Sequence, residues 1–253
     1  MWHLREYGFE FAAADFYVRR QFHKAASVIV VSRAVYDYYV NKYKFCLSDK
    51  TRIIYDGLKI PEAYVKEYNR FGNVNFCITG FVHDNKNQLM ALRACEKLKA
   101  SNDKFILHII GAGDEEYISE LNNIISVNNL HQNIKFRGFR YDVREILRNM
   151  DIGLTLSKRE AFGRVTVEYM LNYMPVIGTN TGGTPEIIID SENGFICALD
   201  DTEHLVELMY KFITDPKLIK LMGTNARKKA VENFSLEKNT DEIYEPRREH
   251  SRL

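Results

Sequence analysis

The chain has 253 residues, 45% of them apolar and 27% charged, and a formal net charge of +1. This is the composition of an ordinary globular protein with enough length for a sizeable core, and it lacks the basic excess of nucleic-acid binders, so nucleic acid is excluded as a partner. No apolar run reaches the roughly 18 residues of a membrane-spanning helix, "MWHLREYGFEF" has neither region of a signal peptide, and Cys46, Cys77, Cys95 and Cys197 are scattered as reduced, buried thiols would be.

In chain order, "SVIVVS" (27–32) predicts a strand and "VYDYYVNKYKF" (35–45) a helix whose aromatic spacing indicates packing rather than ligand stacking. "RIIY" (52–55) adds a short extended run. Together these are too little for an independent sheet, so residues 1–57 read as the remnant of a domain whose start is missing. Residues 58–72 are turn-rich and aperiodic and are expected to be a linker. Strands then follow at 73–80, 104–111, 133–138, 151–157 and 174–179, separated by segments long enough for crossover helices, and 73–232 reads as one doubly wound parallel domain. From Asp201 onward the pattern is helical, and 233–253 is expected to be a C-terminal helix with a solvated tail, "EPRREHSRL".

Ligands of open parallel sheets bind beyond the carboxyl ends of the strands, which makes those loops the place to look for chemistry. "GFVHDNKNQ" follows the first strand of the domain with Gly80, His83 and Lys86; "GAGDEE" follows the second with Gly111 and Gly113; "GFRYD" follows the third. "GAGDEE" lacks the third glycine and the later acid of a dinucleotide fingerprint, and that reading is set aside. His108, inside "KFILHIIG", is expected to be a hydrogen-bonded core histidine, and His83 to be polar surface.

After the fourth strand, "SKREAFGRVTVEYM" places Glu160 in the loop and Glu168 on the second turn of a helix that begins near Gly163. Carboxylates accept from hydroxyls, and the N–H groups of a helix start favour phosphate. A nucleotide sugar, with hydroxyls at both ends and phosphates between, would engage every one of these features. Two solvated helix acids are the plain alternative.

These residues resemble the retaining family-4 (group 1) glycosyltransferases of the GT-B fold. The resemblance rests on Glu160-x7-Glu168 with "FG" between, on the preceding "DIGLTLSKRE", the following "MPVIGTNTGGTPEII" and "NGFIC", and on "GFVHDNKNQ" upstream; it runs over about residues 27–244. It implies an α/β fold: a Rossmann-like doubly wound parallel sheet, the GT-B C-terminal domain, plus a partial N-terminal Rossmann-like domain in an N-terminally truncated chain. In the family the first domain binds acceptor, the second binds donor, and neither metal nor cofactor is needed.

Residue by residue, the resemblance implies that Glu168 accepts from ribose hydroxyls and Glu160 from a hydroxyl of the transferred sugar. The backbone of Ala161, Phe162, Gly163 and Arg164 would hold sugar and phosphate, and Lys86, after the strand ending at Gly80, would neutralise the diphosphate. Lys86 and Glu160 are thereby the implied catalytic residues. Gly138, Phe139 and Arg140 fall where the base is met, and Gly182, Gly183 and Glu186 border the donor pocket. Phe81 stands where an arginine is usual, which leaves the diphosphate one cation short unless Arg164 or Arg140 compensates, and "YDG" (55–57) replaces the commoner Asn-Gly.

The implied reaction is hexosyl transfer from a nucleoside diphosphate sugar to an acceptor hydroxyl with retention, in polysaccharide or glycolipid assembly. The expected partners are the nucleotide sugar and a glycan or lipid-linked acceptor. The expected location is the cytoplasm or the inner face of the membrane, with any membrane contact made peripherally through the missing N-terminal part. A catalytically inactive nucleotide-sugar-binding fragment and a GT-B sugar-nucleotide epimerase are the alternatives.

Overall fold

The computed structural model describes residues 1–7, 20, 24–43, 50–68 and 72–244. Two parallel sheets organise them. The larger has six strands: β4 (Val74–Thr79), β5 (Phe105–Ile110), β6 (Ile134–Gly138), β7 (Ile152–Thr155), β8 (Val176–Thr179) and β9 (Gly194–Cys197), in the spatial order β6-β5-β4-β7-β8-β9. Five of these are the strands expected from the sequence, within two residues at each end. They are near-continuous apolar runs because a parallel sheet with helices on both faces buries both sides of each strand. β9 was not anticipated. It has four residues, "GFIC", and its pairing to β8 is supplied by Val176, Ile177, Gly178 and Thr179 rather than by any local pattern.

Strand order runs outward from β4 to β6 and then reverses, so the chain crosses back to lay β7 beside β4 in register Phe76 with Ile152 and Cys77 with Gly153. The carboxyl ends of β4 and β7 therefore flank a topological switch point, the crevice where ligands of such sheets bind. The helices α2 (Gln88–Ser101), α3 (Glu115–Val127), α4 (Val143–Arg148), α5 (Arg164–Leu171) and α6 (Thr184–Ile187) connect the strands, and α7 (Thr202–Thr214) and α8 (Pro216–Asn233) complete the cover. Their core includes Phe76, Leu92, Leu98, Phe105, Leu107 and Phe212, all fully buried.

Residues 1–57 form more than their short strands promised. β1 (Trp2–Leu4), β2 (Val28–Val30) and β3 (Thr51–Ile53) make a second parallel sheet, with helix α1 (Arg33–Tyr43) after β2. Such small strands hold together because they share a core with the larger unit: Val28, Val30, Val35 and Tyr39 are buried in one cluster with Ala161, Phe162, Val167 and Phe234. The last described helix, α9 (Leu236–Tyr244), closes over the same seam. Leu58 and Leu236 exchange backbone bonds with Phe234 and Leu58, Asn239 donates to the Tyr55 carbonyl (2.7 Å), and Arg52 donates to the Glu242 carbonyl.

Between the sheets, the chain around residues 58–68 is strapped to the C-terminal end of α5. The last carbonyls of a helix lack intrahelical donors. Here Arg227 donates to Leu171, Lys66 (3.0 Å) and Tyr64 (3.2 Å) to Asn172, and Tyr68 (3.2 Å) to Tyr173. The second Arg227 nitrogen reaches the Pro61 carbonyl at 2.8 Å, and Lys66 also donates to Met150 at 2.5 Å. Two cations at the negative end of the helix dipole suit its polarity.

Cys77, Cys95 and Cys197 are buried free thiols, as expected, and Cys46 lies outside the described residues. The end of the aromatic run (44–45), part of the linker (69–71) and the tail (245–253) also lie outside them. His108 is the expected core histidine: buried, bonded to Asn75 (3.1 Å) and Arg137, with its pKa lowered to about 4 by burial and by the Arg137 and Lys135 charges. Among the described residues no helix is long and apolar enough to cross a membrane.

Candidate functional site

The loops after β4 and β7 meet across the switch point and are stitched together. Lys158 donates its backbone N–H to the Asn85 carbonyl (2.8 Å), Asn85 donates to the Arg159 carbonyl (3.0 Å), and Lys158 pairs with Asp84 (2.6 Å). In this frame Lys86, at the end of a 3₁₀ turn (Asp84–Lys86), places its ammonium 2.9 Å from Glu160 Oε2, which also accepts from the Ser157 hydroxyl at 2.9 Å. The two residues with implied catalytic roles thus form one ion pair. Gly80, at φ +132°, opens the turn that leads to Lys86.

The backbone of Glu160 is pinned from the next strand end. Gly182, at φ +54°, comes so close that a Cβ there would stand 1.8 Å from the Glu160 carbonyl oxygen. That oxygen accepts from Gly183 N–H (2.8 Å) and from the Tyr7 hydroxyl (3.3 Å), while Ser32 donates to the Ala161 carbonyl at 2.6 Å. Ala161 and Phe162 are buried. Phe162 stacks on Tyr55 at 5.7 Å. Glu186, three residues on from Gly183, is engaged by the smaller sheet. Its carboxylate accepts from the Arg33 and Ala34 N–H groups (2.8 and 2.9 Å) and from the Tyr55 hydroxyl (3.1 Å), capping the first turn of α1 and joining the two sheets.

Gly163, φ +106°, is the N-cap of α5, and no side chain caps the first-turn N–H groups that follow the loop after β7. The position of α5 is set from behind by Tyr169. The ring occupies the space left by Gly153, where a Cβ would lie 2.1 Å from it, and the hydroxyl accepts from Thr79 N–H at 2.6 Å. Sequence reading missed Tyr169, whose only signal was a glycine in the middle of "DIGLTLS".

Beside α5 lies a cleft of about 600 Å³ whose lining includes Arg5, Asp56, Arg144, Arg164, Glu168 and Asn239. Burial raises the Glu168 pKa, with the Arg164 and Arg144 charges opposing. Asp56 accepts from Arg5 at 2.6 Å and from Arg164 at 3.4 Å through one oxygen. Neither arginine named to replace the missing cation is unpaired, since Arg140 is held in a two-bond pair by Asp142 (2.8 and 2.6 Å). Phe81 is 56% exposed, and Phe139 is 63% exposed with its ring edge against Tyr141. Gly138, at φ +62°, turns the chain into that second aromatic pair. Lys86 and Glu160 thus lie at the switch point, Glu168 and Arg164 at the cleft, and Gly138, Phe139 and Arg140 at the end of the edge strand β6 and just past it. Arg5, Tyr7, Ser32 and Asp56 come from the smaller sheet and its exit.

This is a doubly wound α/β protein whose switch point carries a lysine–glutamate pair and a glycine-started helix. The sequence profile of the glycosyl transferases group 1 matches residues 70–229, and the chain belongs to that family. Over 114 residues it is 37% identical to N-acetyl-alpha-D-glucosaminyl L-malate synthase of Bacillus anthracis, covering 44% of this chain and 30% of that protein. Over 172 residues it is 34% identical to human alpha-1,3/1,6-mannosyltransferase ALG2, covering 63% of this chain and 41% of that protein. The chain thus spans less than half the length of either. Anabaena Alr3699/HepE, crystallised in complex with UDP and glucose, shares the fold with a TM-score of 0.82 at 21% identity, over 96% of this chain and 69% of its own.

Proposed function

We propose that the chain is the donor-binding part, with an acceptor-side portion, of a retaining family-4 glycosyltransferase that moves a hexose from a nucleoside diphosphate sugar to an acceptor hydroxyl. The observation that carries this reading is the Lys86–Glu160 pair at the switch point, beside the start of α5. A diphosphate lying against that start would meet N–H groups and the Lys86 ammonium, a positive field that needs no metal ion. Glu160 would take a hydrogen bond from a sugar hydroxyl, and Glu168, in the cleft, from the ribose. Gly138, Phe139 and Arg140 would approach the base.

As the bond from the anomeric carbon to the diphosphate oxygen breaks, negative charge grows on the leaving group. Lys86 and the helix start would stabilise it. The acceptor oxygen forms its bond on the same face, and its proton departs with the diphosphate, which accounts for retention without a protein nucleophile. The mannosyltransferase and glucosaminyl-transfer names among the relatives support hexosyl chemistry, and assembly of a glycan or glycolipid at the inner face of the membrane is the setting we assign to it.

Release of diphosphate and transfer of radiolabelled sugar from UDP-glucose, UDP-N-acetylglucosamine or GDP-mannose, with and without chelator, tests the reading. Transfer unaffected by chelator is expected; binding of none of the three donors overturns it. A second reading, a nucleotide-sugar-binding module without transfer, is favoured by Phe81 and by the occupied Arg140 and Arg164. It predicts binding of the donors with no turnover.

A further inference from the structure

Two arginines share one carboxylate oxygen at the edge of the cleft. Asp56 Oδ2 accepts from Arg5 Nη2 at 2.6 Å and from Arg164 Nη1 at 3.4 Å. The Asp56 side chain is 14% exposed and both arginines are 52% exposed, so the acid is held in place while the guanidiniums reach solvent. The two contacts are unequal. Arg5 makes a short, charge-assisted hydrogen bond, whereas the Arg164 separation is longer than an ordinary N–H···O bond. Arg164 can therefore leave without stranding a charge, because Asp56 keeps Arg5. Only the loss of its last partner makes a poorly solvated acid costly.

Arg164 is also the first residue of α5, directly after Gly163, and the first-turn N–H groups there carry no side-chain cap. A diphosphate against that start would find the Lys86 ammonium already engaged by Glu160 at 2.9 Å, its charge divided between ligand and carboxylate. The cleft alongside has positive charge to spare: its lining sets Arg5, Lys59, Arg144 and Arg164 against Asp56 and Glu168. Of those four cations, Arg164 alone belongs to the helix start. Arg140, by contrast, is held by both oxygens of Asp142, at 2.8 and 2.6 Å, within its own loop.

We infer that Arg164 is a second diphosphate-binding residue, held on Asp56 in the free protein and handed to the donor when it binds. This rests on the sugar-transfer reading above, in which the diphosphate lies against the start of α5, and goes beyond it by giving Lys86 a partner from the cleft side. The exchange is one of hydrogen bonds only. A guanidinium N–H leaves Asp56 Oδ2 and meets a phosphate oxygen, while Arg5 stays on Asp56 and keeps it neutralised. Asp56 thus competes with the ligand for Arg164, and donor binding releases one tie between the exit of the smaller sheet and α5. As the bond to the anomeric carbon breaks, the same guanidinium meets the charge growing on the diphosphate.

The test is calorimetric titration of the full chain with UDP and uridine and with GDP and guanosine, carried on with the pair that binds the parent. Arg164→Gln should weaken the diphosphate about tenfold and leave the nucleoside unchanged. Arg164→Lys keeps the charge at the helix start and should restore most of that loss. Asp56→Asn removes the competing acceptor and should tighten the diphosphate about threefold, the scale of an exposed ion pair. That gain should vanish when Arg164→Gln is added, because it acts through Arg164. A purely structural Arg5–Asp56–Arg164 cluster predicts the opposite sign for Asp56→Asn, a loss for diphosphate and nucleoside alike. Full diphosphate affinity in Arg164→Gln, an equal loss of nucleoside, or no gain in Asp56→Asn each overturns the inference. Arg164→Gln, at a half-exposed side chain, carries the test alone should Asp56→Asn not fold. Failure of the parent to bind either diphosphate sinks the donor reading instead.

Discussion

Lys86 Nζ lies 2.9 Å from Glu160 Oε2, and the two residues come from loops on either side of the point where strand order reverses. The pair is partly buried, with side-chain exposures of 22% and 16%. Each charge is therefore held in place by the other until a ligand arrives.

Replacing Lys86 with alanine should weaken a nucleoside diphosphate far more than the nucleoside, since only the former carries the charge that the ammonium meets. A charged hydrogen bond contributes about 1.5 to 3 kcal/mol, a tenfold loss or more. Calorimetric titration with UDP against uridine, or GDP against guanosine, measures it. Equal losses for both ligands would take Lys86 out of the phosphate site.

Glu168→Gln should weaken every ligand that carries a ribose, including the sugar-free diphosphate, whereas Glu160→Gln should weaken ligands that carry the sugar. Each loss is expected to be about tenfold or more. Solvated helix acids would leave both variants within about 0.5 kcal/mol of the parent. Isothermal titration of each variant with diphosphate and intact donor separates the two cases.

Lys66 gives a pH prediction. Burial lowers its pKa to about 8, with the Asp151 charge opposing. The unfolded amine titrates at its ordinary value, about 10.4. At pH 7 both forms are charged and the folded state bears the burial cost. Between about pH 8 and 10 the folded amine has lost a proton that the unfolded chain still binds, so this group's contribution makes stability rise with pH across that window. Chemical denaturation at pH 7, 8.5 and 10 should show a relative gain, on the order of 2 kcal/mol, for the parent over Lys66→Met. Parallel pH curves for the two chains would show that the amine is charged throughout.

Gly182→Ala tests the backbone clamp on Glu160. The new methyl meets the Glu160 carbonyl oxygen at a residue already at φ +54°, so the turn must open. Loss of more than about 2 kcal/mol of stability and weakened donor binding are expected. Gly138→Ala is the control: φ is +62°, but nothing lies within 4 Å of the added Cβ, so strain alone, about 1 to 2 kcal/mol, remains. Thermal unfolding that ranks the two variants equally would show that the contact at Gly182 is easily relieved.

The parts of the fold legible in the sequence are those whose signal is local. β4, β5, β7 and β8 are apolar because both faces are covered, and Lys86, Glu160 and Glu168 could be found because loops after parallel strands are where ligands bind. β1 and β9, of three and four residues, carry no period to read, and distant partners make them strands. The capping role of Glu186 was hidden for the same reason, its donors at Arg33 and Ala34 lying about 150 positions away. Asp56, read as plain turn chemistry, became a shared acceptor for Arg5 and Arg164 once the fold brought the smaller sheet beside α5.

The return of α9 to the smaller sheet has a consequence for the nascent chain. The contacts of Arg52 with Glu242 and of Tyr55 with Asn239 span 190 and 184 positions. At typical synthesis rates the ribosome adds that many residues in roughly 10 to 40 s. Throughout that interval the residues around β3 wait with their closing helix unmade, exposed to pairing with another chain. The larger sheet meets no such delay between its own neighbouring strands. The smaller sheet is thus bound to be the last part of the molecule to become secure, and the part that most needs shielding by a chaperone during synthesis.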